Sequence, residues 1–536
     1  MAETATPRIH LSVDQIPEVT EPMPVLKLES PVLAGGDRMR EMAQTVAPNS
    51  TFRELKKSGA RAAYDGKRLV ALIDSESGES RIFPSLEALR PGQGLAERAR
   101  ATAARILDEG ALFPDDATTA VALRPATLMG SRRNRGGERS EPAEYLAYVR
   151  FQRRVDDVPV FGRGTRGLIA VAADDAVHGF AHRWRSAVGT DERIESRPRE
   201  EIAKSIVAQL RTSEKTAEVK VDKVAVGYYD GGHDFLQPVY RFHATVVSRP
   251  TKVHKVKPAN RHVFGYVPLA DPPEPLPKLG AKQKKRPGTA KAKAEPPQAP
   301  PPGDPTVGRY VVRNDTDEWV ISANEFLDGL QLARGLFGGP IPITDSQYYW
   351  AEPRLFTSQK NSFVNSVNIA LNEVHGNWWY FTTRDNADDG VSLSSIPSSG
   401  YGAGGGGSLA YWIIHSCEVI PTQTDETTSF DVWWNIFNGL HAVVGYRTEM
   451  WIDDDVTGPF GFYIGLGAPV VSGWLGEVAG NDSYDDGDTY HDDNRNIDEP
   501  MGRASAVAVC GHSDDTANDV ASLGRPNCLT EWWFDN

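Results

Sequence analysis

Hydrophobic and polar positions follow three regimes along the chain. Over residues 48–130 apolar residues recur at helical spacing among charged ones, most clearly in LAERARATAARILDEGALF. From Glu144 the pattern shortens. YLAYVRFQRRV, VPVFG, GLIAVAA and VHGFAHRW are runs separated by turn residues, and they predict strands. REEIAKSIVAQLRT (199–212) predicts an amphipathic helix, and VKVDKVAVGYY, PVYRFHATVV and HVFGYVPLA after it predict a meander of strands. A helix followed by such a meander is an α+β unit. Beyond residue 306 the apolar runs become short and unbroken: NIALNEV, LAYWII, HAVVGY and SAVAVC, each bounded by glycine or polar residues. Unbroken runs suit strands buried on both faces, so this part predicts a mostly parallel α/β sheet. FDVWWNIFNG and FGFYIGLGAPVVSGWLGEV supply its crossover helices.

Two stretches lack periodicity. Residues 1–47 are polar and proline-rich and predict a mostly extended arm. Residues 269–306 are Pro, Lys and Ala with almost no apolar bulk, which predicts an exposed linker. Its KQKKRPG (282–288) is the segment expected to be cut by proteases. The expected organisation is therefore multidomain: an arm (1–47), two α+β domains (48–190 and 191–268), the linker, and an α/β domain (307–536).

Charge sharpens this division. Residues 307–536 hold 10 Lys and Arg against 33 Asp and Glu, a net −23, and Lys360 is their one lysine. The remainder holds 48 against 39, a net +9. An acidic half repels phosphates, so nucleic acid is not expected as a partner. The basic half is expected to dock on the acidic half, and a substrate carrying Lys or Arg would be favoured. No run of 18 or more apolar residues predicts a membrane helix. The N-terminus as written lacks the charged and apolar regions of a signal peptide. Of the three cysteines, Cys510 and Cys528 are able to form a bridge, leaving Cys417 free.

The run AYVRFQRRVDDVPVFGRGTRGLIAVAADDAVHGFAHRW resembles the propeptides of fungalysin- and thermolysin-type precursors. The unit ending in YYDGGHDFLQPVYRFHATVV resembles a PepSY-type module, itself cystatin-like in its α+β build. Together the likenesses span about residues 50–268. Gln152-Arg153-Arg154 departs from the usual pattern, so no inhibitory detail is carried over. The resemblance implies a precursor acting outside the cytoplasm; without it, a cytoplasmic location is the simpler expectation. It also asks for HExxH metalloprotease chemistry, and no HExxH is present.

Other chemistry stands at two strand ends. NIALNEVHGNWW ends an apolar run in His375-Gly376, and SLAYWIIHSCEVI ends one in Ser416-Cys417. Active sites of open parallel sheets form beyond the carboxyl ends of the strands. A thiol needs an imidazole to take its proton near neutral pH. Glycine after the histidine permits close backbone approach, and the N–H groups of Gly376 and Cys417 are the candidate oxyanion donors. This ordered pair, with FNGLHAVVGYRT after it, resembles the caspase-like cysteine peptidases of the gingipain type, over about residues 360–525. The HSCE and GLH pieces also resemble an uncharacterised bacterial family. The resemblance implies a Cys417/His375 dyad, a peptide or protein substrate, an intramolecular propeptide as partner and no required cofactor. One departure is Glu418, whose charge would raise the thiol pKa unless it points away.

Alternatives share the same stretch. His415 lies two residues from Cys417 and is a candidate base, or with Cys417 and His441 a metal ligand. Asp453, Asp454, Asp455, Asp485 and Asp486 are candidates for recognising basic side chains. Asp482, Asp486 and Asp488 are candidates for a loose Ca²⁺ site, although the loop fails the EF-hand spacing. YGAGGGGSLAYW (401–412) precedes a strand and lacks the following lysine, so it is a loop expected to border the cleft rather than a phosphate loop. Trp378, Trp379, Trp433 and Trp434 are expected in the core or lining a pocket. A silent binding protein on the same fold, and a thiol acyl transferase or amidase, are the rival functions.

Overall fold

The unbroken apolar runs of the acidic half are central strands, buried on both faces. Thr306–Val311, Thr344–Trp350, Ile369–Glu373, Tyr411–His415 and Ala442–Tyr446 are parallel. In space Thr344–Trp350 lies at one edge, followed by Thr306–Val311, Ile369–Glu373, Tyr411–His415 and Ala442–Tyr446. Parallel neighbours need crossovers; the helices Glu318–Phe337 and Asp431–Ile436 lie in two of these connections, whereas Thr457–Gly465 and Val470–Ala479, expected as crossovers, follow the last parallel strand and lead to Ala504–Val509. Glu318–Phe337 and Thr457–Gly465 pack backbone to backbone. A Cβ on Gly329 would run into the Gly458 carbonyl, and one on Gly461 into that of Phe326.

The structure is a computed structural model that describes residues 8–31, 36–55, 58–74, 76–109, 116–137, 139–213, 218–247, 260–270, 276–277, 285–291, 305–313, 318–337, 344–384, 389–422, 425, 430–452, 455–481, 489–492 and 495–535.

After the parallel strands the sheet turns antiparallel, through Ala504–Val509 and then Cys528–Asp535. It does not stop there. Cys528–Asp535 pairs with Ala126–Asn134 of the basic half, in register from Cys528↔Asn134 to Asp535↔Thr127. The two halves therefore share one sheet, which continues through Ala143–Val155, Gly167–Ala172 and Val177–His182. Cys510 and Cys528 form a disulfide beside this seam, and Cys417 is the free cysteine.

In the basic half the strands after Glu144 and the helix after residue 198 form; within 48–130 the helical spacing holds for Leu95–Glu109, while Thr51–Glu54, Arg61–Asp65, Arg68–Ile73, Ser80–Ile82, Thr119–Ala122 and Ala126–Asn134 are strands, not the helices expected. Helix Leu95–Glu109 lies on the sheet through Leu95, Ala99, Ala103 and Ile106. Helix Arg199–Ser213 precedes the antiparallel meander Glu218–Tyr229, Phe235–Val246 and Arg261–Pro268. This is a multidomain α/β chain with a mixed sheet, as expected at that level.

Two further expectations change. Residues 1–47 are not a free arm: Met23–Pro31 pairs with Arg185–Ile194, and helix Gly36–Val46 buries Met39, Met42, Ala43 and Val46. The apolar pattern is real but confined to short runs between prolines. Within the linker, Lys282–Lys284 lie outside the described residues, while Lys285–Lys291 is held against the edge strand. Gly288 N–H donates to the Tyr348 carbonyl at 3.1 Å and its carbonyl accepts from Trp350 N–H at 3.0 Å. An edge strand otherwise leaves such groups unpaired.

Arginines of the basic half meet carboxylates of the acidic half, as the charge asymmetry predicts. Glu477, fully buried, pairs with Arg81 and, at 2.6 Å, with Arg166. Arg139 meets Glu531 at 2.5 Å and Arg133 meets Asp431 at 3.1 Å. Among the described residues no helix is long and apolar enough to cross a membrane.

Candidate active site

The His-Gly and Ser-Cys motifs stand side by side. Ile369–Glu373 and Tyr411–His415 are adjacent parallel strands with Glu373 opposite His415. One step further, Val374 N–H donates to the His415 carbonyl at 3.4 Å. His375-Gly376 and Ser416-Cys417 thus leave the sheet together at its carboxyl rim. Gly376 is pressed against its neighbour so closely that a Cβ would overlap Ser416 Oγ, the Cys417 carbonyl and Val419. Here the glycine serves close approach of two chains rather than an unusual φ.

Trp319, in the first turn of helix Glu318–Phe337, sets the His375 ring. The two rings meet edge to face at 5.2 Å, and the same indole meets His415 at 6.2 Å. His415 is committed elsewhere. Its Nδ1 lies 2.7 Å from Glu373, which also accepts from Ser322 Oγ at 2.7 Å, all fully or nearly fully buried. This pair sits under the helices as a hydrogen-bonded pair of the core; the metal grouping of His415 with Cys417 and His441 does not form, since His441 lies at the opposite, amino-terminal end of the sheet.

Cys417 is 5% exposed. Its sulfur accepts from Met450 N–H at 3.5 Å and lies 4.0 Å from the carbonyls of Asn260 and Met450. Burial pushes the thiol well above its ordinary range, and the carboxylates of Glu449 and then Glu418 add to this. The Glu418 backbone is left-handed (φ 52°) and its carboxyl accepts from Tyr490 Oη at 2.8 Å, yet it still adds to the raised thiol pKa, the departure noted in the sequence.

The cover over the rim comes from the basic half. Asn260 N–H donates to Glu449 at 3.0 Å, Arg261 lies 3.7 Å from Glu318, and His262 Nε2 pairs with Glu449. Ile452 N–H donates to the His262 carbonyl at 3.2 Å, and His262 bridges Trp451 in parallel. Asn260–His262 therefore reaches from the helix start beside His375 to the segment beside Cys417. None of Glu449, Asn260, His262 or Trp319 was singled out from sequence. Their one signal is the basic-on-acidic asymmetry, which carries no address.

Of the acidic candidates, Asp453, Asp454, Asp482, Asp485, Asp486 and Asp488 lie outside the described residues. Asp455 is described and holds Arg163 of the basic half, which also approaches Glu325 at 3.5 Å. The glycine loop is placed differently from expectation. It runs directly into the amino end of Tyr411–His415 and so lies opposite the rim, where Lys360 Nζ donates to the carbonyls of Gly400 at 2.6 Å and Gly405 at 3.0 Å. Trp379 packs on Trp433 at 5.5 Å, and Trp433 is fully buried.

Fold and site together define an α/β sheet with a thiol and an imidazole at its carboxyl rim, covered by a second α+β half joined to the same sheet. Residues 349–501 match the model of a domain of unknown function (DUF6345), a stretch that includes His375 and Cys417. No curated protein matches the chain. A solved structure of an uncharacterized protein from Eubacterium rectale ATCC 33656 is 10% identical, with 47% of this chain and 84% of that one covered, at a TM-score of 0.29.

Proposed function

We propose that the chain is a latent cysteine peptidase whose Cys417/His375 dyad is covered by its own basic half. One observation carries the reading: the two motifs exit adjacent parallel strands in register, at the end of the sheet where such sites form. This is the arrangement that the caspase-like resemblance implies. Cys417 Sγ attacks a peptide carbonyl and its proton passes to His375, which delivers it to the leaving amine. A water, deprotonated by His375, then releases the acyl group from sulfur. Gly376 and Cys417 backbone N–H groups are the oxyanion donors.

The cover supports latency. His262 makes one parallel backbone bridge with Trp451 of the rim segment, the kind of pairing by which extended peptides are held in β-augmentation. A substrate would take the same place. Arg261 on Glu318 and Arg163 on Asp455 put cationic side chains against rim carboxylates, which favours substrates carrying Lys or Arg. Ca²⁺ at the acidic loop stays a proposal of the sequence alone.

The test uses a peptidyl chloromethyl ketone with a basic P1 residue on the full chain, before and after limited proteolysis. Labelling confined to Cys417, increased by proteolysis and abolished by Cys417→Ala and by His375→Ala, is expected. The rival binding protein is favoured by the raised thiol pKa. It wins if the uncovered protein still leaves Cys417 unlabelled.

A further inference from the structure

A second cluster lies at the other end of the sheet, where two imidazole nitrogens face one carboxylate oxygen. His441 stands immediately before strand Ala442–Tyr446, at the amino-terminal edge. Its Nε2 lies 2.7 Å from the Ala521 carbonyl, and a carbonyl only accepts, so Nε2 carries the hydrogen. The neutral ring then has a bare lone pair on Nδ1. That atom faces Asp515 Oδ2 at 2.5 Å, and His512 Nδ1 faces the same oxygen at 2.8 Å. Two acceptors at that separation need a cation between them, either an extra proton or a metal ion.

We propose that His441, His512 and Asp515 form a site for a late first-row divalent cation of the zinc class. The three ligand atoms lie within 4.8 Å of one another, so small side-chain shifts bring all three onto one ion at about 2.0–2.2 Å. The tether of Nε2–H to a backbone carbonyl is the outer-shell contact that metal-bound histidines use to fix their tautomer. Two imidazoles and a carboxylate suit zinc, and a water would complete a tetrahedron. The surroundings are firm. Val509 N–H donates to the His441 carbonyl at 2.9 Å, and the Asp515 carbonyl accepts from Val470 N–H at 3.0 Å, at the start of helix Val470–Ala479. The His441 side chain is buried, whereas those of His512 and Asp515 are 35% and 21% exposed, so an ion enters from solvent. The site lies away from the thiol and acts structurally. It ties the fifth parallel strand to the turn after Ala504–Val509, two residues from the disulfide at Cys510.

The experiment is calorimetric titration of the chelator-treated full chain with zinc chloride, paired with the visible spectrum of the cobalt-loaded protein. One equivalent per chain is expected. Affinity should fall more than about tenfold in His512→Ala and in Asp515→Asn, and cobalt should give ligand-field bands without sulfur charge transfer. His512 is partly exposed, so His512→Ala keeps the fold and remains informative if Asp515→Asn does not. Absence of stoichiometric binding, binding unchanged in His512→Ala, or a sulfur-to-cobalt band would each overturn the site. The first outcome would assign the extra proton to the His441–Asp515 pair instead.

Discussion

Replacing Glu449 with glutamine tests the cover over Cys417 most directly. Glu449 accepts from Asn260 N–H at 3.0 Å and pairs with His262 Nε2, so one carboxylate holds both ends of the covering segment. Hydrogen bonds to a charged group contribute about 1.5–3 kcal/mol and neutral ones about 1. Glu449→Gln keeps the shape and loses roughly 1 kcal/mol at each contact, about 2 in total. That raises the uncovered population about 30-fold, since about 1.4 kcal/mol is a factor of ten. The charge also acts on the thiol, because Glu449 helps to hold the Cys417 pKa up, and its loss lowers that pKa. Both effects increase the rate of iodoacetamide labelling at fixed pH, and Cys417 is the free cysteine that reports it. A pH profile separates them: uncovering multiplies the rate at every pH, while a lowered pKa moves the profile to lower pH. A change under about threefold, with unaltered thermal stability, would refute the account of the cover.

Three further outcomes follow from the packing. Glu477→Leu leaves the Arg81 and Arg166 guanidiniums buried without their carboxylate, and urea unfolding should show a loss of about 3 kcal/mol, the low end of such losses because Glu79 remains 3.5 Å from Arg81. Gly376→Ala forces a Cβ into the Ser416–Cys417 backbone, so it should cost about 1–3 kcal/mol and abolish site-directed labelling even after proteolysis. Burial lifts the Glu531 carboxyl from 4.5 to about 7 against the pull of Arg139. The folded state then holds that proton more tightly than the unfolded one, so stability should fall as pH rises from 4.5 to about 7, by at most about 1.4 kcal/mol per pH unit, and level off above. Denaturation midpoints of Glu531→Gln should lack this slope.

The sequence carried the elements well because their periods are unambiguous. LAYWII, HAVVGY and SAVAVC are unbroken and became central strands, and the 199–212 helix formed with one residue added. That the His375-Gly376 and Ser416-Cys417 motifs follow strand ends was legible for the same reason, since both lie just past such runs, and the two strands are neighbours. Long-range pairing left no local trace. Nothing in CLTEWWFD names ATLMGSRRN as its neighbour. Likewise the cover depends on Asn260–His262 finding Glu449 across nearly 190 positions. Met23–Pro31 was missed because prolines hide a short alternation, whereas the glycine loop was misplaced although its position just before Tyr411–His415 already puts it at the amino end.

The seam between Cys528–Asp535 and Ala126–Asn134 joins positions roughly 400 residues apart in the chain. Closing so large a loop costs entropy that only the finished ladder returns, so this join belongs to the slow end of folding. Until it closes, each half offers an open strand edge to any neighbouring molecule. Refolding at high concentration should therefore drive self-association through these edges. A nick in the Pro/Lys/Ala stretch would yield two polypeptides that co-purify as one particle.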